Sequence, residues 1–153
     1  MAHNIHGIFA APETLASVVK QLPGTIVVPL SAGVAWVPVF DELLDAVSKS
    51  AGVPSANTED GFVHFGGVLP SVLQAASAKA PVAYVETDYF GGSGSQIATV
   101  YEGGVRTKER CTVNQALAVL GVHGVDEQDE WDVVGLANHR VTPEAAHAAF
   151  AAR

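Results

Sequence analysis

The eleven residues ETDYFGGSGSQ, at positions 86–96, combine two carboxylates, two aromatic rings and three glycines. Glycines that follow a strand can hold a phosphate where a helix comes next and points its amide groups at the anion. Here the next residues are IATVY (97–101), which are typical of a strand, and no Gly-Lys-Ser/Thr follows. The sequence therefore favours a hairpin turn, in which glycine supplies positive φ angles, over a ligand-binding loop.

Glu86 and Asp88 are two residues apart, so in a strand their side chains lie on the same face of the sheet. Two carboxylates on one face can bind a metal ion, transfer protons or hold a basic partner. The two carboxylates are equally consistent with a solvent-exposed hairpin edge that has no binding or catalytic role. These interpretations stay open at this point, and we expect the hairpin to present both acids and Tyr89 outward.

Five acids surround a tryptophan in DEQDEWD, at positions 126–132. Acidic side chains in the first turn of a helix interact favourably with the positive end of the helix dipole. A helix start is therefore the simplest explanation of this run. The alternative is a docking patch, because tryptophan is a frequent anchor in interfaces and carboxylates suit a partner rich in Lys and Arg. The patch would consist of Asp129, Glu130 and Trp131. The Asp-x-Asp-x-Asp-Gly spacing of a calcium loop is absent.

Other reactive side chains do not form a catalytic set. Cys111 lies at an expected helix start beside Lys108 and Arg110, which would lower the pKa of its thiol, but no nearby histidine completes a nucleophilic pair. The His-Glu-x-x-His zinc motif is also absent. The histidines are scattered: His3, His6, His64, His123, His139 and His147. We predict no catalytic residues, no metal and no cofactor, although a histidine site built from distant segments stays open.

Two stretches together resemble a group of small, mostly uncharacterised bacterial proteins. The first is YVETDYFGGSGSQ (84–96), and the second runs from NQALAVLGV (114–122) through DEWDVVGL (129–136) to His139-Arg140. The resemblance covers roughly 84–140. Small acidic proteins of this build are similar to the immunity proteins that neutralise antagonistic bacterial toxins. The resemblance implies a protein partner and assigns no catalytic residue.

Hydrophobic periodicity and turn residues predict the elements that position these groups. Strands are expected at 5–10, 25–30, 33–40, 62–65, 82–89 and 96–102, and helices at 12–22, 40–47, 70–80, 112–120, 127–136 and from 142 onward. The runs 25–30 and 33–40 are almost wholly apolar, which predicts central strands covered on both faces. We expect a mobile loop at 51–61 and only helices after Gly104. Hairpins that alternate with helices predict an α+β fold with a mixed, largely antiparallel sheet and covering helices.

Length and charge restrict the class of protein. The 153 residues predict one domain, 1–153. A net charge of -8 argues against binding to nucleic acid or to the anionic membrane face and favours a basic protein partner. The longest apolar run, 25–40, is interrupted by prolines and a glycine, and the start does not resemble a signal peptide. With a single cysteine, these features predict a cytoplasmic protein.

The sequence therefore predicts a non-catalytic acidic binding protein, most consistent with an immunity protein that occludes a basic toxin domain. The expected contact residues are Glu86, Asp88, Tyr89, Asp129, Glu130 and Trp131. The alternative is a small enzyme or ligand-sensing protein with a pocket beside the 86–96 hairpin, in which Glu86 or Asp88 acts with His64 or His139. A homo-oligomer also stays open.

Overall fold

The computed structural model of the protein describes residues 3–22, 24–52, 62, 65, 68–90, 93–136, 146, 148 and 151, with the side chains of 3, 89, 90 and 93 outside that description. The strands are β1 (His3–Ala10), β2 (Val28–Pro29), β3 (Ala35–Pro38), β4 (Val82–Phe90), β5 (Ser93–Glu102) and β6 (Val105–Cys111). The helices are α1 (Pro12–Gln21), α2 (Asp41–Ala51), α3 (Leu69–Ala76), α4 (Val113–Val119) and α5 (Glu130–Val134). None of the helices within these ranges is long and apolar enough to span a bilayer.

The six strands form one sheet in the order β2-β3-β1-β4-β5-β6. Every neighbouring pair in the described ranges is antiparallel. Hairpins join β2 to β3, β4 to β5 and β5 to β6, while β1 lies between β3 and β4. The predicted α+β class, with a largely antiparallel sheet and covering helices, is confirmed.

Successive side chains along the central strands point to opposite faces of the sheet, so the hydrophobic core has one part on each face. On the front face, Ile8, Val82 and Tyr84 pack with buried side chains of α1 and α3. On the back face, Ile5, Val85 and their neighbours pack with α4 and α5. Each fully buried aliphatic side chain contributes about 1.5–3 kcal/mol. Because both faces are covered, the central strands are held in one register.

A close approach between β1 and β3 depends on a glycine. The indole Nε1 of Trp36 donates a hydrogen bond of 3.1 Å to the backbone oxygen of His6. A Cβ atom at Gly7 would overlap with that indole nitrogen and with the backbone oxygen of Val37. Only glycine therefore lets the fully buried Trp36 ring lie against β1, where it also stacks on Phe9 with ring centroids 5.9 Å apart.

Helix starts follow local sequence signals. Pro12 opens α1, and Thr112 caps α4 as expected. The Thr112 hydroxyl accepts from the backbone N–H of Gln115 at 3.1 Å, and the Gln115 side chain accepts from the backbone N–H of Thr112 at 2.9 Å. This reciprocal pair is the capping box that the sequence predicts.

Two element predictions are wrong. Residues 105–111, in a part of the chain where only helices are expected, form the edge strand β6. The expected central strand at 25–30 contracts to β2, a two-residue strand at the other edge. The short helix expected within 127–136 is present as α5. The loop predicted at 51–61 and the helix predicted from 142 fall almost entirely outside the described residues, as does much of the strand predicted at 62–65.

The physical reason for the β6 error is its edge position. Five of the residues in VRTKERC are exposed, so no apolar face marks the strand in the sequence. The signal that does mark it is the turn before it. Gly103 and Gly104 have φ angles of 59° and 80°, and Glu102 pairs with Val105 across them. Two positive-φ glycines at a two-residue turn are typical of a tight hairpin.

Candidate functional site

The stretch 86–96 is a hairpin. β4 and β5 pair from Val82↔Tyr101 to Phe90↔Ser93, so the chain reverses between Phe90 and Ser93. A strand, and not a helix, follows the glycines. The hairpin prediction is confirmed.

The two acids of β4 share the front face, but they lie in different surroundings. Asp88 is exposed, with Asn4 of β1 and Ser95 of β5 opposite it in the register. Glu86 is only 5% exposed and lies opposite His6 and Ile97. The prediction that Glu86 is presented outward is wrong, because the sheet is already covered by core side chains at that position. Tyr89 pairs with His3 and Gly94 through its backbone, and its side chain lies outside the described part of the chain.

Tyr84 is the buried partner of Glu86. Its phenolic oxygen donates a hydrogen bond of 2.8 Å to Oε2 of Glu86, and the ring is fully buried. Burial raises the pKa of Tyr84 well above its ordinary value, and the nearby carboxylates of Glu86 and Asp41 raise it further. Tyr84 therefore remains a neutral hydrogen-bond donor at physiological pH.

Aromatic rings pack against Tyr84. The ring centroids of Phe62 and Phe65 lie 5.8 Å and 5.2 Å from that of Tyr84. The guanidinium carbon of Arg106 lies 5.0 Å from the Phe65 ring centroid, within cation–π range. Nε of Arg106 also donates to the hydroxyl of Thr99 at 2.8 Å. The front face thus carries the buried, hydrogen-bonded pair of Tyr84 and Glu86, with aromatic rings packed against Tyr84.

The second predicted patch lies around α5, and we call Asp126, Glu127, Asp129, Glu130 and Asp132 with Trp131 the acidic corner. Its acids are exposed except Glu130, which is half-buried. Trp131 is also half-buried, and it packs against the back-face core. No Lys or Arg occurs between Arg110 and Arg140 in the sequence, so the negative charge of this corner is not balanced by neighbours along the chain.

Asp129 has a structural role in this corner. Its Oδ1 accepts from the backbone N–H of Asp132 at 3.0 Å, which caps α5. Its Oδ2 accepts from Nδ2 of Asn114 at 3.0 Å, and Oδ1 of Asn114 accepts from the backbone N–H of Trp131 at 2.9 Å. A contact role for Asp129 is a prediction from the sequence, whereas Asn114, which fixes α5 to α4, was not among the predicted residues.

Hydrogen bonds connect the hairpin to the acidic corner. Oε1 of Gln96, on β5, accepts from the backbone N–H of Val113 at the start of α4 at 2.9 Å. Asn114, the next residue, holds the first turn of α5. Gln96, α4 and Asn114 therefore link the hairpin to α5, with Asp88 on the front face of the sheet and α5 packed against the back.

Cys111 does not have the environment of a nucleophile. Its Sγ donates to the backbone oxygen of Ala98 at 3.6 Å and is half-buried. Burial raises the pKa of the Cys111 thiol, and Lys108 offsets only part of that effect. The thiol is therefore protonated at neutral pH. Across the residues that the structure describes, no group of three or more His, Cys, Asp or Glu side chains could hold a metal ion. His64 and His139 lie outside those residues.

Comparison of the chain with protein-family models, with curated proteins and with solved structures found no match.

The residues that hold the acids in place were not predicted from the sequence. Tyr84 stands two residues before Glu86, so strand alternation could have placed both on one face. Asn114 and Gln96 contact residues 17 positions away, and no local pattern marks such contacts.

Proposed function

We propose that this protein binds a basic protein partner through its acidic corner, and that it acts as an immunity protein that occludes a bacterial toxin. The observation that carries the proposal is the acidic corner, where exposed carboxylates surround the half-buried Trp131. Aromatic anchors inside a charged rim are typical of protein interfaces. The resemblance of 84–140 to small acidic immunity-like proteins agrees with this assignment.

The corner is held in place before any partner arrives. The backbone groups of Val125 and Gln128 exchange two hydrogen bonds of 2.9 Å, which close the turn that carries Asp126 and Glu127. Asn114 fixes the start of α5, and the backbone N–H of Ser31 donates to Val134 at its end at 2.9 Å. A surface that is ordered in advance loses little conformational entropy on binding.

The contact set of the proposal differs from the one that the sequence suggested. Asp88, Asp129, Glu130 and Trp131 remain proposed contact residues, and Tyr89 remains one on the sequence argument alone. We assign Glu86 a structural role instead, because its buried carboxylate accepts a hydrogen bond from Tyr84 and stabilises strand β4. We place the protein in the bacterial cytoplasm, where its single cysteine stays reduced.

The test begins with the genes beside the one that encodes this chain. Each neighbouring product is expressed alone and together with this protein, and cell growth is followed. We expect one neighbour with a basic domain to stop growth when alone and to be harmless in the presence of this protein. The purified pair should form a stoichiometric complex in calorimetry. If no neighbouring product is toxic and none binds, the immunity assignment is wrong.

Charge-reversal variants connect that result to the acidic corner. The double variant Glu127→Lys with Asp132→Lys changes two exposed acids that cap no helix through their side chains. The matched control is Glu13→Lys with Glu42→Lys, two exposed acids in the first turns of α1 and α2 that undergo the same change in charge. We expect the corner variant to associate about tenfold more slowly than the control variant. Equal rates would place the interface elsewhere.

A second candidate function is a small enzyme or ligand-sensing protein whose pocket lies beside the hairpin. The burial of Glu86 favours it, because a carboxylate held away from bulk water beside a hydrogen-bond donor can act in proton transfer or bind a cationic group. In this function Glu86 would act as a base or as a ligand for a cationic group, and the cross-strand neighbour His6 would be the nearest imidazole in the register.

This second function has its own measurement. A library of small metabolites is screened for compounds that raise the unfolding temperature of the wild-type protein. Each hit is then tested against Glu86→Gln, which keeps the shape of the side chain and removes its charge. A hit that stabilises the wild type and not Glu86→Gln would support a ligand site at the hairpin. A library that gives only hits shared by both proteins would count against it.

A further inference from the structure

We draw no further inference here: the strongest candidate, the open groove of about 580 Å³ between the start of α1 and the end of α3, is lined mainly by alanines, and nothing in the structure shows what covers it.

Discussion

Glu86 and Asp88 lie on the same face of β4, yet Asp88 is exposed while the Glu86 side chain is only 5% exposed. The depth of each carboxylate depends on what packs over the sheet, and Phe62, Phe65 and α3 come from parts of the chain that no local pattern connects to β4. Sequence periodicity therefore predicts the direction of a side chain but not its burial.

The hydrogen bond between Tyr84 and Glu86 should be measurable as a coupling energy. Tyr84→Phe removes the donor and leaves a buried carboxylate with one bond fewer, so we expect a loss of about 1–3 kcal/mol in unfolding free energy. In a Glu86→Gln background the same change removes a bond to a neutral amide, and the loss should be smaller. Urea denaturation of the four proteins gives the coupling directly. If Tyr84→Phe lowers the unfolding free energy equally in both backgrounds, the hydrogen bond to the Glu86 carboxylate adds no coupling energy.

Tyr84 should also determine part of the stability at alkaline pH. Its folded-state pKa lies above the ordinary value of 10.0, so its contribution is complete below pH 10. As pH rises from there towards the folded-state pKa, the unfolded chain loses this proton and the native chain keeps it. Stability then falls by about 1.4 kcal/mol for each pH unit. Tyr84→Phe removes this slope, and urea denaturation from about pH 8 to about pH 11 compares the two proteins.

The comparison isolates Tyr84 because the other alkaline groups are the same in both proteins. The Cys111 thiol, whose pKa is raised from 9.0, produces the same fall in each. The difference between the two curves should stay constant below pH 10 and shrink above it. Parallel curves over the whole range would contradict the buried, neutral state of Tyr84.

At the scale of elements, the sequence predicts best what depends on neighbours along the chain. The capping box at Thr112 and the proline start of α1 involve residues within four positions, and both are confirmed. β2 and β6 depend on position in the sheet. An apolar run did not become a central strand in β2, and a charged run became an edge strand in β6. Edge positions are assigned by the whole sheet, so local propensity could not identify them.

β6 has features that oppose pairing with another chain. It contains Arg106, Lys108 and Arg110, which are three of the eight Lys and Arg residues in the protein. Its register with β5 shifts on both sides of Val100, so no long regular edge is presented. Cationic side chains and bulges are the usual protection of a sheet edge.

Removal of the edge charges should therefore promote self-association. In the double variant Lys108→Val with Arg110→Val, like-charge repulsion between two β6 edges disappears, and we expect dimers or larger species in sedimentation velocity. The control is Lys49→Val with Lys79→Val, two exposed lysines away from the sheet. If the edge variant sediments as the control does, the bulges alone protect the edge.

For the molecule as a whole, the fold class followed from the sequence but the strand order did not. Alternating hairpins and helices were enough to predict an α+β protein with a largely antiparallel sheet. The insertion of β1 between β3 and β4 joins residues about 80 positions apart, such as Ile8 and Tyr84. Long-range pairings of this kind follow from the complete packing of both faces, so composition and periodicity do not reveal them.

The distribution of charge over the molecule predicts how the rate of association with a basic partner depends on salt. The acidic corner and Asp88 carry exposed carboxylates in a protein of net charge -8. If the proposed basic partner approaches the acidic corner, association should slow by about tenfold or more as salt rises from about 0.1 M to about 1 M, because the screening length falls from about 10 Å to about 3 Å. Stopped-flow measurements with the cognate partner test this dependence.

Variants in the hairpin and in the acidic corner show whether one partner covers both patches. Asp88→Lys and the double variant Glu127→Lys with Asp132→Lys should each lower the association rate and its salt dependence. Their effects on the logarithm of the rate should add, since Asp88 and the exposed acids of the corner lie on opposite faces of the sheet. The dissociation rate should change much less, because exposed rim charges act mainly on the encounter of the two proteins. If Asp88→Lys leaves the association rate unchanged while the corner variant lowers it, the partner contacts the back face alone, and the hairpin lies outside the interface.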